Sequence, residues 1–179
     1  TGVGQRISKV VLGDTWGNED FLGEFSRYGN GDGQLIWPAG IAADNDGNVF
    51  VTDEWLNRVS VFNLEGEYLR HFDVVQPGDG DTNGISGIAI SPDQTLYITD
   101  GRSHQVRMFK TDGTFTGSFG SQGVSDGQFD SPWGITVDQD GNVYVADFKN
   151  HRVQKFTADG KFLAQIGRPG TKRGDLHYP

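Results

Sequence analysis

Cysteine is absent from the chain, and methionine occurs once in its 179 residues. The lack of cysteine excludes a disulfide framework, a thiolate metal site and a cysteine nucleophile. No apolar run approaches the roughly 20 residues that a membrane-spanning helix needs, so we expect no membrane partner. Residues 1–6 contain no apolar segment of the signal-peptide type. These absences leave the compartment unknown, with an extracellular or periplasmic location slightly favoured.

Positive charge is also scarce. The chain has 15 Lys and Arg against 24 Asp and Glu, which gives a formal net charge of −9 at pH 7. A net negative charge disfavours nonspecific binding to phosphate backbones and to anionic lipid surfaces. We therefore expect no nucleic-acid partner.

Glycine and aromatic residues, in contrast, are abundant. The 27 Gly have no Gly-X-Y period, which excludes collagen, and the 12 Phe, 5 Tyr and 4 Trp argue against a disordered chain. Proline is infrequent, with 6 residues. This composition indicates many short strands joined by tight turns.

A repeat with a constant step of 47 residues organises the chain. Aligning residues 38–72 with residues 132–166 gives 15 identities in 35 positions without a gap. The middle copy, residues 85–119, is more diverged but equally gapless. The same step of 47 residues relates three sets of landmarks: Gly40, Gly87 and Gly134; Asp53, Asp100 and Asp147; Phe62, Phe109 and Phe156.

Within each copy the hydrophobic period is two, which is typical of strands. The first copy has four such runs, at residues 39–43, 49–52, 58–62 and 68–72, separated by turn residues that include Asp46-Gly47 and Glu65-Gly66. Glycine at these points supplies the positive φ that tight hairpins require. Four antiparallel strands in a repeat of this length predict the blade of a β-propeller.

The third copy contains Gly141-Asn142-Val143, then Asp147, then Asn150-His151-Arg152-Val153. With these residues the sequence resembles the NHL-repeat family, and the resemblance covers residues 38–166 in three copies. The first copy keeps Asn57-Arg58-Val59, whereas the second departs from the pattern, with Gln105 in place of the arginine. NHL proteins usually form six-bladed propellers. The resemblance therefore implies an all-β propeller of four-stranded antiparallel blades, of which about three and a half are present.

The repeat predicts the division of the chain. Residues 1–36 form a partial blade of outer strands and a connector, residues 37–83, 84–130 and 131–166 each form a blade, and residues 167–179 form a connector to a missing next blade. This number of blades does not close a ring. We favour a fragment of a longer propeller, and the alternative is a ring completed by a second chain or by a homo-oligomer.

Asp53, Asp100 and Asp147 recur at the end of each second strand and could form a ring of carboxylates for metal or acid–base chemistry. Two of them are followed five residues later by an arginine, Arg58 or Arg152, which can pair with the carboxylate across the hairpin. We therefore interpret the repeated aspartates as structural.

Two histidines, His104 and His151, occupy the same repeat position and would lie on the same rim of adjacent blades. Two imidazoles could contribute to a divalent metal site, although Asn57 occupies this position in the first copy. The NHL-repeat family, which the sequence resembles, includes peptidyl-hydroxyglycine amidating lyase, a metal-dependent enzyme. Part of such a lyase is therefore the alternative function.

Residues 79–84 match the first half of a calcium-binding loop, but Ile90 occupies the position of the bidentate glutamate. We expect no cofactor, with Ca²⁺ and Zn²⁺ as minor alternatives. Some NHL proteins bind single-stranded RNA on a basic face, and 7 of the 15 Lys and Arg lie between residues 149 and 173. The overall negative charge nevertheless makes RNA a weak candidate.

The strand order predicts that two sets of loops share one face of the propeller: those joining outer to next inner strands, and those joining second to third strands. Variable aromatic and basic residues on such loops are typical of binding surfaces. We expect a non-catalytic scaffold that binds a protein, peptide or glycan there. The predicted ligand-binding residues are Trp37, Trp55, Arg102, His104, Trp133, Phe148, Lys149 and His151.

Overall fold

The computed structural model describes residues 6–11, 20–75 and 84–179. The described chain is all-β, with a single turn of 3₁₀ helix at Phe148–Asn150. None of the described segments forms a helix long and apolar enough to cross a bilayer.

Three sheets of four antiparallel strands follow one another along the chain. They are preceded by the pair β1 (Ile7–Val11) and β2 (Asp20–Phe25) and by two short strands, β3 (Arg27–Tyr28) and β4 (Gln34–Leu35). The first blade contains β5 (Pro38–Ala43), β6 (Val49–Asp53), β7 (Arg58–Phe62) and β8 (Tyr68–Asp73). The second contains β9 (Ile85–Ile90), β10 (Thr95–Asp100), β11 (Gln105–Lys110) and β12 (Phe115–Phe119). The third contains β13 (Pro132–Val137), β14 (Val143–Asp147), β15 (Arg152–Phe156) and β16 (Phe162–Ile166).

These strands confirm the propeller fold and the four runs predicted for each copy, to within one residue at the ends. The β1–β2 pair lies within the segment for which a partial blade is predicted. The domain boundaries themselves stay a prediction, as does the number of blades in the ring.

The hydrophobic cores lie between blades. One core joins the first and second blades, with Phe50 and Val61 on one side and Ile88 and Phe109 on the other. A second core joins the second and third blades through residues that include Tyr97 and Val145. Since adjacent blades bury apolar side chains against each other, they depend on one another for stability.

The inner strands of adjacent blades pack unusually closely, and glycine makes this possible. A Cβ atom on Gly40 would lie 2.8 Å from the carbonyl oxygen of Ser86, and one on Gly87 would lie 2.6 Å from that of Trp133. The hydroxyl of Thr52 donates to the Ser86 carbonyl at 2.6 Å, and that of Thr99 donates to the Trp133 carbonyl at 2.6 Å. The same contact therefore joins both pairs of blades.

The turn between β13 and β14 is built around Asp138. Its Oδ1 accepts the backbone N–H of Asn142 at 2.8 Å, and its Oδ2 accepts the Asn142 side-chain amide at 2.9 Å and the Tyr144 hydroxyl at 3.0 Å. The ammonium of Lys155 lies 3.6 Å from Oδ2. These contacts, with the Asn142 side chain foremost, lower the pKa of Asp138 to about 2, because they favour the ionised carboxylate.

We predict that replacing Gly87 by Ala lowers the free energy of unfolding by about 1–3 kcal/mol, because the new methyl group overpacks the blade junction. Gly134 is the matched control, since the atom nearest to a Cβ there is that of Ala146 at 3.6 Å. Gly134→Ala should be neutral or slightly stabilising. Urea denaturation measures both variants, and equal stabilities would contradict the proposed packing.

We predict that carboxyl NMR titration finds Asp138 half-protonated near pH 2, and that Asn142→Ala moves the pKa upward. A pKa below that of the unfolded chain means that ionised Asp138 stabilises the fold above the ordinary aspartate range. That contribution should be lost as the pH falls toward 2. An unchanged pKa in Asn142→Ala would refute this assignment of the cause.

Candidate functional site

One edge of the propeller carries both sets of loops that the strand order predicts to share a face; we call it the loop face. The antiparallel order brings the connectors between blades to the same edge as the β6–β7, β10–β11 and β14–β15 loops. Backbone hydrogen bonds join the two sets: Glu54 N–H donates to the Trp37 carbonyl at 3.0 Å, and Lys149 N–H donates to the Asp130 carbonyl at 3.1 Å.

A buried aspartate anchors this edge in each blade. Asp53 is inaccessible to solvent, and its Oδ1 accepts the N–H groups of Trp55 and Leu56 at 3.1 and 3.0 Å. Its Oδ2 accepts those of Ile36 and Trp37 at 2.7 and 3.1 Å. A carboxylate that is buried and saturated by backbone donors is not available as a general base or a metal ligand. The structural interpretation of the repeated aspartates agrees with these contacts.

An arginine on the third strand fixes the preceding connector. Nη2 of Arg58 donates to the carbonyls of Gly31 and Gln34 at 2.8 and 3.1 Å. Nη2 of Arg152 donates to the equivalent carbonyls of Ser125 and Gln128, both at 2.8 Å, while its Nε pairs with Asp147 at 2.8 Å. Arg152 thus links the second strand, the third strand and the connector in one buried network. Arg58 holds the connector, but its Nε has no hydrogen-bond partner among the described residues, so the predicted pairing with Asp53 is not seen.

The second blade has the same ion pair from a different position. Gln105 replaces the arginine of the repeat, but Arg107, two residues later, places its Nε 2.9 Å from Oδ2 of the buried Asp100. Residues two apart on a strand lie on the same face. The strand period therefore could have identified Arg107 from the sequence, where the fixed spacing of five residues did not.

The two histidines make equivalent backbone contacts. Nδ1 of His104 accepts the N–H of Ser131 at 3.2 Å, and Nδ1 of His151 accepts that of Tyr178 at 3.0 Å. The two donors are one repeat apart, and both histidines have left-handed backbones, with φ of 56° and 55°. These contacts place the proton of each neutral imidazole on Nε2, so the repeated histidine holds the connector that leads out of its blade.

Trp37, Trp55 and Trp133 are 58%, 61% and 50% exposed, and Arg102 and Lys149 are exposed beside them on the loop face. A step of 47 residues relates Trp55, Arg102 and Lys149. Lys149, rather than Phe148, is thus the third-blade counterpart of Trp55 and Arg102. One position of the repeat therefore presents a different large side chain in each blade.

The third blade brings several of the predicted residues into one row of rings. The ring centroids of Trp133 and Phe148 are 6.1 Å apart, and those of Phe148 and Tyr178 are 4.9 Å apart. Tyr178 in turn lies 4.4 Å from the ring of His151 and 4.5 Å from that of His177. Sequence reasoning missed Tyr178 and His177, although the step of 47 residues relates Tyr178 to Ser131 and Gly84.

Among the residues that the structure describes, no three His, Asp or Glu side chains are grouped as a metal site would require. The calcium-loop candidate, residues 79–84, lies outside the described residues except for Gly84.

Comparisons with known structures place the chain in the β-propeller class. It is similar to virginiamycin B lyase from Staphylococcus aureus, with a TM-score of 0.59 and 21% identity over 75% of this chain and 42% of that one. It is also similar to a protein of unknown function from Bacteroides thetaiotaomicron, with a TM-score of 0.65 and 23% identity over 79% and 40% of the two chains. A chain of the nidogen/laminin complex matches with a TM-score of 0.58 and 19% identity over 84% and 54%. At these identities the likeness shows the fold alone.

Within that class, two segments of the chain match a repeat family. The NHL-repeat family model matches residues 35–62 and 129–156. A stretch of 45 residues, 25% of this chain, is 42% identical to the protein lin-41 of Caenorhabditis elegans, of which it covers 4%. The resemblance inferred from the sequence is confirmed. The chain covers less than half the length of the lyase and a small part of lin-41.

We predict that Arg152→Leu lowers the free energy of unfolding by about 3–5 kcal/mol, because it leaves the Asp147 carboxylate buried without its charged partner. Lys161→Ala is the control, since Lys161 pairs with Asp159 on the exposed surface and should be dispensable. Thermal and urea unfolding provide the measurement. A loss no larger in Arg152→Leu than in Lys161→Ala would contradict the role of the buried pair.

Proposed function

We propose that this chain is a non-catalytic propeller scaffold that binds a protein, peptide or glycan on its loop face. The observation that carries the proposal is the repeat position occupied by Trp55, Arg102 and Lys149. The repeat keeps the backbone around it constant, whereas the side chain changes from blade to blade and is exposed in every case. Large aromatic and arginine side chains on rigidly held loops are the usual anchors of binding interfaces.

The framework beneath these residues supports a preorganised site. Asp53 accepts four backbone N–H groups around Trp55, and Asp100 accepts the N–H of Arg102 at 3.1 Å. A ligand that binds to such loops orders few of them on association, and a smaller entropic cost leaves more of the contact energy for affinity. One of the structural neighbours, the nidogen/laminin complex, is by its name an assembly of two proteins.

The alternative is part of a metal-dependent lyase similar to peptidyl-hydroxyglycine amidating lyase. His104 and His151 each accept a backbone N–H at Nδ1, which puts the proton of the neutral ring on Nε2. Neither ring therefore offers a nitrogen lone pair to a metal unless it gives up that hydrogen bond. The lyases among the structural neighbours are 20–24% identical to this chain, and that likeness concerns the fold alone. No group of described residues favours the enzyme over the scaffold.

We predict that the chain selects ligands from a phage-displayed peptide library or a glycan array. A triple variant with Trp55→Ala, Arg102→Ala and Phe148→Ala should bind these ligands at least about tenfold more weakly, because truncating one hot-spot side chain costs ~2 kcal/mol of binding free energy. Biolayer interferometry measures the affinities, and circular dichroism checks that the variant is folded.

The control carries Leu64→Ala and Lys161→Ala on the turns at the opposite edge, where both side chains are exposed. It should bind as the wild-type chain does. Equal loss of ligand affinity in both variants, or no loss in either, would contradict the assignment of binding to the loop face.

A further inference from the structure

A cleft of about 330 Å³ opens on the loop face of the third blade. Its walls come from the two connectors that flank the blade, represented by Val124 and Pro169, and Val124 is 75% exposed. Lys149 and His151 line it from the β14–β15 loop, above the buried Arg152. The cleft therefore combines apolar walls with basic and donor groups.

The side-chain hydrogen-bond acceptors around this cleft, on Asp147 and Gln165, already accept hydrogen bonds from the protein itself. Oδ1 of Asp147 accepts the N–H of Asp130 at 2.7 Å, and its Oδ2 accepts Arg152 and Asn150 at 2.8 and 2.9 Å. Oε1 of Gln165 accepts Nη1 of Arg152 at 3.1 Å. Two hydrogen-bond donors, in contrast, remain for a ligand in the cleft. The neutral ring of His151 carries its proton on Nε2, and the exposed Lys149 ammonium lies 3.7 Å from its ion-pair partner Asp130. An acceptor-rich ligand would complement this set.

The residues that line the cleft include Lys149 and Arg152 and no aspartate or glutamate. Three acids on the same edge are paired: Asp130 lies 3.7 Å from Lys149, Asp147 2.8 Å from Arg152 and Asp175 2.9 Å from Arg168. The exposed side chains of Lys172 and Arg173, on the connector that forms one wall, make no ion pair with a described residue. In a chain of net charge −9, the cleft thus has a basic lining that would attract an anionic group.

The cleft continues into the row of aromatic rings. His151 lines the cleft, and its ring lies 4.4 Å from that of Tyr178. Tyr178 then packs against Phe148, which packs against Trp133. A carboxylate bound in the cleft would thus have a partly exposed aromatic surface beside it, suited to a neighbouring apolar side chain.

We propose that this cleft binds an acidic peptide, with a carboxylate between Lys149 and His151 and an adjacent apolar side chain on the rings of Phe148 and Tyr178. The proposal rests on the ligand-binding function proposed for the loop face and narrows its ligand to one class. A peptide fits better than a nucleic acid because these basic side chains are confined to the cleft and its rim, whereas the negative charge of the rest of the chain would repel a phosphate backbone.

The test uses two fluorescein-labelled, end-capped peptides of alternating leucine and glutamate or leucine and glutamine, with fluorescence polarisation as the readout. The glutamate peptide should bind the chain at least about tenfold more tightly, which corresponds to ~1.4 kcal/mol. Lys149→Gln should remove most of this difference without affecting the glutamine peptide. Phe148→Ala should weaken both peptides by the same factor, because it removes apolar contact and no charge.

Lys161→Gln is the matched control, since this exposed lysine lies at the opposite edge, and it should leave both affinities unchanged. The proposal is overturned by equal affinity for the two peptides, by an equal effect of Lys149→Gln and Lys161→Gln, or by tighter binding of a uridine oligonucleotide of the same length.

If the peptides do not bind but ligands selected on the loop face still depend on Trp55 and Arg102, the scaffold function stands and only the acidic-peptide site is refuted. If neither is seen, both proposals fail.

Discussion

The loop face of this propeller depends on a carboxylate buried at the end of the second strand of each blade. Asp53, Asp100 and Asp147 are inaccessible to solvent, and burying an ion costs several kcal/mol unless hydrogen bonds and an opposite charge compensate. The compensation comes from the loops themselves, because backbone N–H groups converge on each carboxylate. In the second and third blades a third-strand guanidinium joins them. The aspartate therefore sets the course of both the connector and the hairpin loop, and the side chains on those loops can vary without changing it.

A second constraint is the distance between inner strands. Gly40 and Gly87 allow adjacent blades to approach until a threonine hydroxyl reaches the next carbonyl. In the third blade, Ala146 occupies the position of that threonine. The tyrosine one repeat apart in the second and third blades also bonds differently. The Tyr97 hydroxyl donates to the Ala158 carbonyl of the following blade, whereas the Tyr144 hydroxyl donates to Asp138 of its own blade. The third blade thus makes a polar contact within itself at a position where the second blade contacts the next one.

Much of the fold could be read from the sequence, because the landmarks of the repeat are tied to backbone requirements. A hairpin glycine such as Gly141 has φ of 82°, and a buried aspartate has to meet its donors in every blade. The site was harder to predict. The sequence places Lys149 among the candidate loop-face residues, but its equivalence to Trp55 and Arg102 depends on counting through the repeat. Arg107 was missed because the buried pair requires a face of the strand and not a fixed spacing.

The sequence by itself determined the repeat, the blade and the edge on which the variable residues lie, since these follow from periodicity and turn chemistry that act over a few residues. Only the tertiary structure decided which of those residues meet. Tyr178 and Val124 come from different connectors, and each reaches the third-blade loop because hydrogen bonds to His151 and Arg152 hold the connectors against it. Such contacts join residues 27 positions apart, and no local pattern encodes them because they arise from the packing of one blade's loops against the next.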